Sequence, residues 1–118
     1  MIAITGRQHA ICERYTAAYV EAPFDKIIGV AIETFADKTL MPIHGLRRAK
    51  EPAHTTGWYI WAGAFSEADD FFKPMHVHHL LELYPEVLDY LGLAPGWRFL
   101  FDNEQYEDVW YDEWLLNN

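Results

Sequence analysis

Several residue types and patterns that indicate particular chemistry are scarce or missing in this chain. Cys12 is the only cysteine in 118 residues, so no disulfide can form within one chain and no cysteine-based zinc site can be assembled. No apolar run approaches the roughly 20 residues of a membrane helix, and the first residues lack a basic start followed by an apolar segment. The motifs GxGxxG and GxxxxGKS/T are absent. We therefore expect a cytoplasmic protein without a dinucleotide site or a phosphate-binding loop.

Residues suited to catalysis are also few. Ser66 is the only serine, and with Asp69 three residues later it fits the cap of a short helical turn. Three pairs of adjacent acids occur, at Asp69–Asp70, Glu107–Asp108 and Asp112–Glu113. Adjacent residues on a strand point to opposite sides of a sheet, whereas glycosidase chemistry needs two carboxyls facing one cleft. The sequence predicts no catalytic residue and no cofactor.

Charge is distributed unevenly along the chain. Residues 1–64 hold seven Lys/Arg and six Asp/Glu, whereas residues 65–118 hold two Lys/Arg and twelve Asp/Glu, so the second half carries a net charge of −10. Such a field repels nucleic acid and anionic lipid and attracts basic surfaces. Acidity also keeps an aromatic-rich protein soluble, so a basic partner and simple solubility both remain open interpretations.

The first half of the chain has strand patterns after a segment that is hard to read. Residues 1–24 are poorly assigned, with a short helix expected around Ala10 to Val20. The run KIIGVAIETF predicts a strand from Lys26 to Phe35 with Ile28, Val30 and Ile32 on one face. PIHGLRR indicates a second extended segment. GWYIWAGAF, residues 57–65, has large apolar groups on both faces, which predicts a central strand.

Helical patterns then precede a hairpin. Pro74 fits the first position of a helix whose buried stripe includes Val77, Leu80, Leu81 and Tyr84. Pro85 kinks this helix or starts a second one, which Gly92 would end in the left-handed conformation. WRFLF and YEDVWYDEWLL predict two strands joined by the DNEQ turn. This order predicts a single α+β domain over residues 1–118, with a largely antiparallel sheet and one or two helices before a C-terminal hairpin.

The stretch KPMHVHHLLELYPE raises the question of a metal site. On an α-helix, His76, His78 and His79 point in different directions and cannot converge on one ion, which leaves only the pairs His76 with His79 and His78 with Glu82. Either pair needs a further ligand, such as His44 or His54, because zinc takes at least three protein ligands. The HExxH motif is absent. We therefore interpret the histidines as a solvated helix face and predict no metal site.

Acidic and aromatic residues alternate near the C-terminus. Asp108, Trp110, Asp112 and Trp114 share one face of the last strand, provided that it stays extended. Large aromatics anchor many protein interfaces and acids steer the encounter, so this face fits a recognition surface. Trp110 packed into the core between solvated acids is the other interpretation.

Several segments together resemble a known family. They are DKIIGVAIETF, PIHGLRR, TTGWYIWAGAFSEADDFFKPMHVHHLLE, PEVLDYLGLAPGWRFLFD and YEDVWYDEWLL. They are similar to the thirty-third family in the numbered series of bacterial immunity proteins linked to polymorphic toxins, including the members labelled as like it. The resemblance covers about residues 25–116.

The resemblance implies a small cytoplasmic protein that binds and neutralises a cognate toxin, and it implies no catalytic residue. With the acidic second half, it leads us to expect a toxin with a basic surface as partner, and neither nucleic acid nor membrane. The residues expected to contact the toxin belong to the C-terminal hairpin and are Glu104, Glu107, Asp108, Asp112, Glu113 and Trp114. The alternatives are a small metal-dependent hydrolase using His76 and His79, and a stand-alone structural or regulatory protein.

Overall fold

A six-stranded sheet organises the protein, whose computed structural model describes residues 3–118. The strands are β1 (Ile27–Val30), β2 (Ile43–Arg47), β3 (Thr55–Ala62), β4 (Lys73–His76), β5 (Trp97–Phe101) and β6 (Glu107–Tyr111). Their order in the sheet is β4-β1-β3-β2-β5-β6. Only the neighbours β1 and β3 are parallel, and the other four pairs are antiparallel. The α+β class and the largely antiparallel sheet are confirmed, and β3 is an interior strand as predicted.

Helical segments are short and lie mostly against one face of the sheet. The α-helices are α1 (Ile4–Arg14) and α2 (Leu80–Leu83), and the 3₁₀ segments are η1 (Ile32–Phe35), η2 (Val77–His79), η3 (Pro85–Tyr90) and η4 (Glu113–Leu116). The longest helix, α1, has 11 residues, and no helix within residues 3–118 has the length and apolar character needed to cross a bilayer.

The hydrophobic core lies between the sheet and the layer formed by α1, α2 and η3. Alternation along β3 directs Trp58 and Ile60 into it, and β5 contributes Phe99; all three side chains have no measurable exposure. Leu80 and Leu91 complete the opposite side of the core at the same burial. A chain with 16% aromatic residues has enough bulky apolar groups to fill this layer.

A buried arginine ties the N-terminal segment to the sheet. Arg47 at the end of β2 is 3% exposed, and its guanidinium donates hydrogen bonds to five backbone carbonyls. These belong to Val20, Glu21, Thr56, Leu91 and Leu93, at 2.7–3.3 Å. Burial lowers the pKa of Arg47 to about 10. Through these hydrogen bonds Arg47 connects β2 to three other segments, namely residues 20–21, the start of β3, and residues 91–93 after η3.

Residues 3–24 belong to the domain. The helix there spans Ile4–Arg14, earlier in the chain than the predicted Ala10 to Val20, and it packs on η3 with Ile11 and Cys12 buried. The first predicted strand is also shorter, since β1 ends at Val30 and η1 begins at Ile32, which is 37% exposed. The placement of Ile32 on the buried face is therefore wrong.

The middle of the chain departs most from the predicted helices. Residues 73–76 form β4, which lies at one edge of the sheet and pairs with β1. Pro74 has no backbone N–H, and an edge strand tolerates this because it pairs with a neighbouring strand on one side only. The predicted helix beginning at Pro74 is therefore wrong, although Val77 and Leu80 are buried as expected. Leu81 is 47% exposed, outside the predicted stripe.

The structure also differs from the predicted conformation of Gly92 and from the predicted helical turn after Ser66. Pro85 begins η3, as one of the two alternatives predicted, but Gly92 is not among the positive-φ residues. Gly92 instead lies against the Tyr19 ring, 2.7 Å from where a Cβ would be. The Ser66 hydroxyl accepts a hydrogen bond from the Ala68 N–H at 3.1 Å, but the residues that follow form turns, not a helix.

Candidate interaction surface

The C-terminal hairpin has a well-ordered turn. β5 and β6 form the hairpin that the sequence predicts, and in it Trp97 pairs with Tyr111 and Phe101 with Glu107. In the turn, Asp102 Oδ1 accepts hydrogen bonds from the backbone N–H groups of Glu104 and Tyr106 at 2.8 and 3.0 Å. The Asp102 side chain therefore stabilises the turn between β5 and β6.

Alternation along β6 separates Glu107 from Asp108. Val109, the next residue on the Glu107 side, is buried in the core, whereas Asp108 and Trp110 lie on the opposite face of the sheet, which we call the outer face. Asp108 is exposed and Trp110 is half-buried, with the Arg98 guanidinium 5.5 Å from its ring centre. The two adjacent acids therefore have different environments.

Glu107 links the hairpin to the helical layer. Its carboxylate accepts hydrogen bonds from Arg14 Nη1 and Tyr15 Oη, both at 2.6 Å, and from Tyr90 Oη at 2.7 Å. Burial raises the pKa of Glu107, but the hydrogen bonds from Tyr15, Tyr90 and Arg14 outweigh it, and the net pKa lies below the ordinary value. Burial and the Glu107 charge raise the pKa of Tyr90. Glu107 is among the residues expected to contact the toxin, but its side chain is only 19% exposed and its carboxylate has three partners within the chain.

Asp112 also has partners within the chain. The last strand ends at Tyr111, and Asp112 caps η4, where its Oδ1 accepts from the Trp114 N–H at 3.2 Å and its Oδ2 from Arg98 Nη1 at 3.1 Å. Trp114 therefore lies on a 3₁₀ turn and not on an extended strand, so the predicted alignment of four residues on one strand holds only for Asp108 and Trp110.

The remaining predicted contact residues are freely accessible. Glu104, Asp108 and Glu113 are exposed, and Trp114 is 60% exposed although Leu115 beside it is fully buried. The Arg48 guanidinium lies 5.9 Å from the Trp114 ring centre, and Arg48 Nε donates to the Asn118 backbone carbonyl at 2.7 Å. A cation over the indole and an anchored Leu115 restrict the Trp114 ring without covering it.

The outer face also carries an aromatic cluster that the sequence did not reveal. Its members are ring neighbours at centroid distances of 4.8–6.2 Å, namely Tyr59, Trp61, Phe65, Phe71 and Phe72. Phe65 is 54% exposed. The large apolar residues on both faces of β3 predict burial on each side, and Trp61 on the outer face is indeed buried, but the sequence does not show that Phe65, Phe71 and Phe72 provide its cover.

A small apolar cavity joins this aromatic cluster to Trp114. It measures about 190 Å³ and is lined by Leu46, Arg48, Tyr59, Phe65, Phe72 and Trp114. The loop that carries Phe65 also carries the exposed acids Glu67, Asp69 and Asp70. Aromatic walls with acids nearby can take up an aliphatic or cationic side chain of another protein.

Donors on the outer face are not all satisfied within the chain. Among residues 3–118, the buried side-chain atoms without a hydrogen-bond partner are Trp61 Nε1 and Arg98 Nε, and both residues point to the outer face. On the core face, by contrast, all three guanidinium nitrogens of Arg47 donate hydrogen bonds to backbone carbonyls. Among the described residues, the buried side-chain donors that lack a hydrogen-bond partner therefore lie on the outer face.

The three clustered histidines lie at the opposite edge of the sheet from β6. Their ligand nitrogens are all within 4.8 Å of one another, so the prediction that they cannot converge is wrong. That prediction assumed an α-helix, whereas His76 ends β4 and His78 and His79 belong to η2. The additional ligands considered, His44 and His54, are not members of this group, and His44 stacks on Trp61 instead.

Comparison with known protein families identifies the family of this chain. The model of the Imm33-like domain family matches residues 7–112, nine-tenths of the chain, and it begins well before residue 25, where the resemblance seen in the sequence starts. No curated protein and no solved structure matches. The match includes most of α1, both faces of the sheet and the hairpin up to Asp112.

Proposed function

Because the chain belongs to the Imm33-like domain family, we propose that it is an immunity protein, one that binds a cognate bacterial toxin in the cytoplasm and neutralises it. The family match over residues 7–112 is the observation that carries this proposal. Acting by binding and not by catalysis suits the scarcity of nucleophiles, with one serine and one cysteine, the latter buried.

The proposed contact surface combines the outer face with the end of the hairpin. Support comes from the exposure of Trp114 and Phe65, at 60% and 54%, since large aromatics left in solvent are typical of binding sites. The cavity between them offers a place for one anchoring side chain of the toxin. The acids around it favour a basic toxin surface, chiefly through faster association.

Glu104, Asp108, Glu113 and Trp114 are the residues proposed to contact the toxin. All four are exposed, and within residues 3–118 the carboxylates of the three acids form no ion pair and no side-chain hydrogen bond. Glu107 and Asp112 were predicted with them, but their carboxylates serve Arg14, Tyr15, Tyr90 and Arg98, so we assign both a structural role.

The test uses the toxin encoded beside this gene in its native host. Co-expression should restore growth of cells that make the toxin, and purified proteins should bind in calorimetric titration. The combined change Glu104→Lys, Asp108→Lys and Glu113→Lys should slow association and reduce its dependence on salt. Trp114→Ala should weaken affinity by about 30-fold or more, the size expected for an aromatic anchor, with the salt dependence unchanged.

A matched control carries the same change of net charge on other elements. Glu13→Lys, Glu21→Lys and Glu33→Lys alter exposed acids of the first half and should leave binding intact. Equal losses in both triple variants would show a general charge effect and reject the proposed surface. Failure of any neighbouring gene product to bind or be neutralised would reject the immunity function and favour a stand-alone structural or regulatory protein.

A further inference from the structure

The three-histidine cluster has the geometry of a ligand set. The ring centroids of His78 and His79 are 4.3 Å apart, and that of His76 lies 5.6 Å from His78 and 6.2 Å from His79. One nitrogen from each ring lies within 4.8 Å of the other two. Nitrogens bound at about 2.1 Å to a tetrahedral ion are about 3.4 Å apart, so small rotations of exposed rings complete the site.

The backbone beneath the cluster is held firmly. His76 pairs with Ile27 in the sheet, the Val77 N–H donates to the Lys26 carbonyl at 3.0 Å, and the His78 N–H donates to the Phe24 carbonyl at 3.1 Å. Val77 and Leu80, on either side of His78 and His79, are fully buried. Because these contacts fix the chain without using the imidazoles, the rings are left exposed and available as ligands.

We propose that His76, His78 and His79 bind a divalent transition-metal ion, Zn²⁺ above all. Imidazole nitrogens suit zinc, copper and nickel, and three protein ligands with water in a fourth position form a complete zinc coordination. Calcium and magnesium prefer oxygen ligands and fit this set poorly. The exposed Glu82 lines the same surface cavity of about 560 Å³ as His76 and His79, and its negative charge favours a cation there.

This site does not depend on the proposed toxin binding. It lies at the β4 edge of the sheet, whereas the residues proposed to contact the toxin lie on the outer face and at the β6 edge. Metal binding can therefore be measured on the isolated protein.

The experiment is a calorimetric titration of ZnCl₂ into chelator-treated protein that carries no affinity tag. We expect saturable binding of one ion per chain, and Co²⁺ should give the visible absorption of a site with nitrogen ligands. His78→Ala should weaken zinc affinity by at least about tenfold, since loss of a direct ligand exceeds the loss of a supporting contact. Circular dichroism should be unchanged because the replaced side chain is exposed.

His54→Ala is the matched control, because His54 is exposed and lies outside the cluster. Its zinc affinity should equal that of the unmodified protein. The proposal is overturned if the unmodified protein gives no saturable zinc binding. It is equally overturned if replacement of all three clustered histidines leaves the affinity unchanged, or if His54→Ala lowers the affinity as much as His78→Ala does.

Discussion

Replacing Glu107 tests whether this carboxylate stabilises the fold. Glu107→Ala removes three short hydrogen bonds, two from tyrosine hydroxyls and one from Arg14. A hydrogen bond to a charged group contributes about 1.5 kcal/mol or more, but the Arg14 side chain is 56% exposed, so its pair adds less than about 1 kcal/mol. The expected loss in the free energy of unfolding is therefore about 3 kcal/mol, with a fall in Tm of about 10–15 °C.

The charge and the hydrogen bonds can be separated with Glu107→Gln. The amide keeps the shape of the side chain and one acceptor, so we expect it to retain part of the stability at neutral pH. The folded-state pKa of Glu107 is lowered, so the stability that the charge contributes is complete above the unfolded pKa, about 4.3, and is lost as pH falls through the lower folded value. The difference between the parent and Glu107→Gln should therefore shrink on acidification.

Urea denaturation followed by tryptophan fluorescence measures these differences, with Asp108→Ala as the control. Asp108 is on the same strand but exposed, and its replacement should change stability by no more than about 0.5 kcal/mol. If Glu107→Ala unfolded at the same urea concentration as Asp108→Ala, the tie between the hairpin and the helical layer would not contribute to stability. A gap that stayed constant down to the lowest pH would contradict the assigned role of the charge.

Other substitutions test the core, each by thermal or urea unfolding. Arg47→Met removes the guanidinium that donates to five backbone carbonyls, of which the Leu91 carbonyl keeps the Trp58 indole N–H as a second donor. The change should cost about 3–5 kcal/mol, so an unchanged midpoint would refute the role of the buried guanidinium. Gly45→Ala places a Cβ 2.1 Å from the Phe99 ring and should cost about 1–3 kcal/mol; a stable variant would mean that the ring moves freely. Trp58→Ala should cost about 3–5 kcal/mol because the indole is fully buried, and Trp97→Ala should cost less because that ring is half-buried; the reverse order would contradict the assigned core.

Local patterns in the sequence predicted the strands that have strong alternation. The hairpin of Trp97–Phe101 with Glu107–Tyr111 and the interior position of β3 follow from residues that alternate or are apolar on both faces. The burial of Val77 and Leu80 was also predicted, because both a helix and a strand followed by a 3₁₀ turn can place them inward. These features depend on residues close together in the chain.

The site was predicted less well than the fold. The exposure of Glu104, Asp108, Glu113 and Trp114 agrees with their assignment to the surface, but Glu107 and Asp112 look like the other acids in sequence. What distinguishes Glu107 is contact with Arg14, Tyr15 and Tyr90, of which two lie more than 90 residues away in the chain. No local pattern carries that information.

By itself, the sequence determined an α+β domain with one core, an acidic second half and a hairpin, because composition and alternation depend only on the residues themselves and their neighbours. Tertiary structure alone decided that residues 73–76 form an edge strand and that the three histidines meet. Pairing with β1 over more than 40 residues supplied hydrogen bonds that overrode the local helical pattern. The side-chain directions of a strand followed by a 3₁₀ turn then brought together rings that an α-helix would have separated.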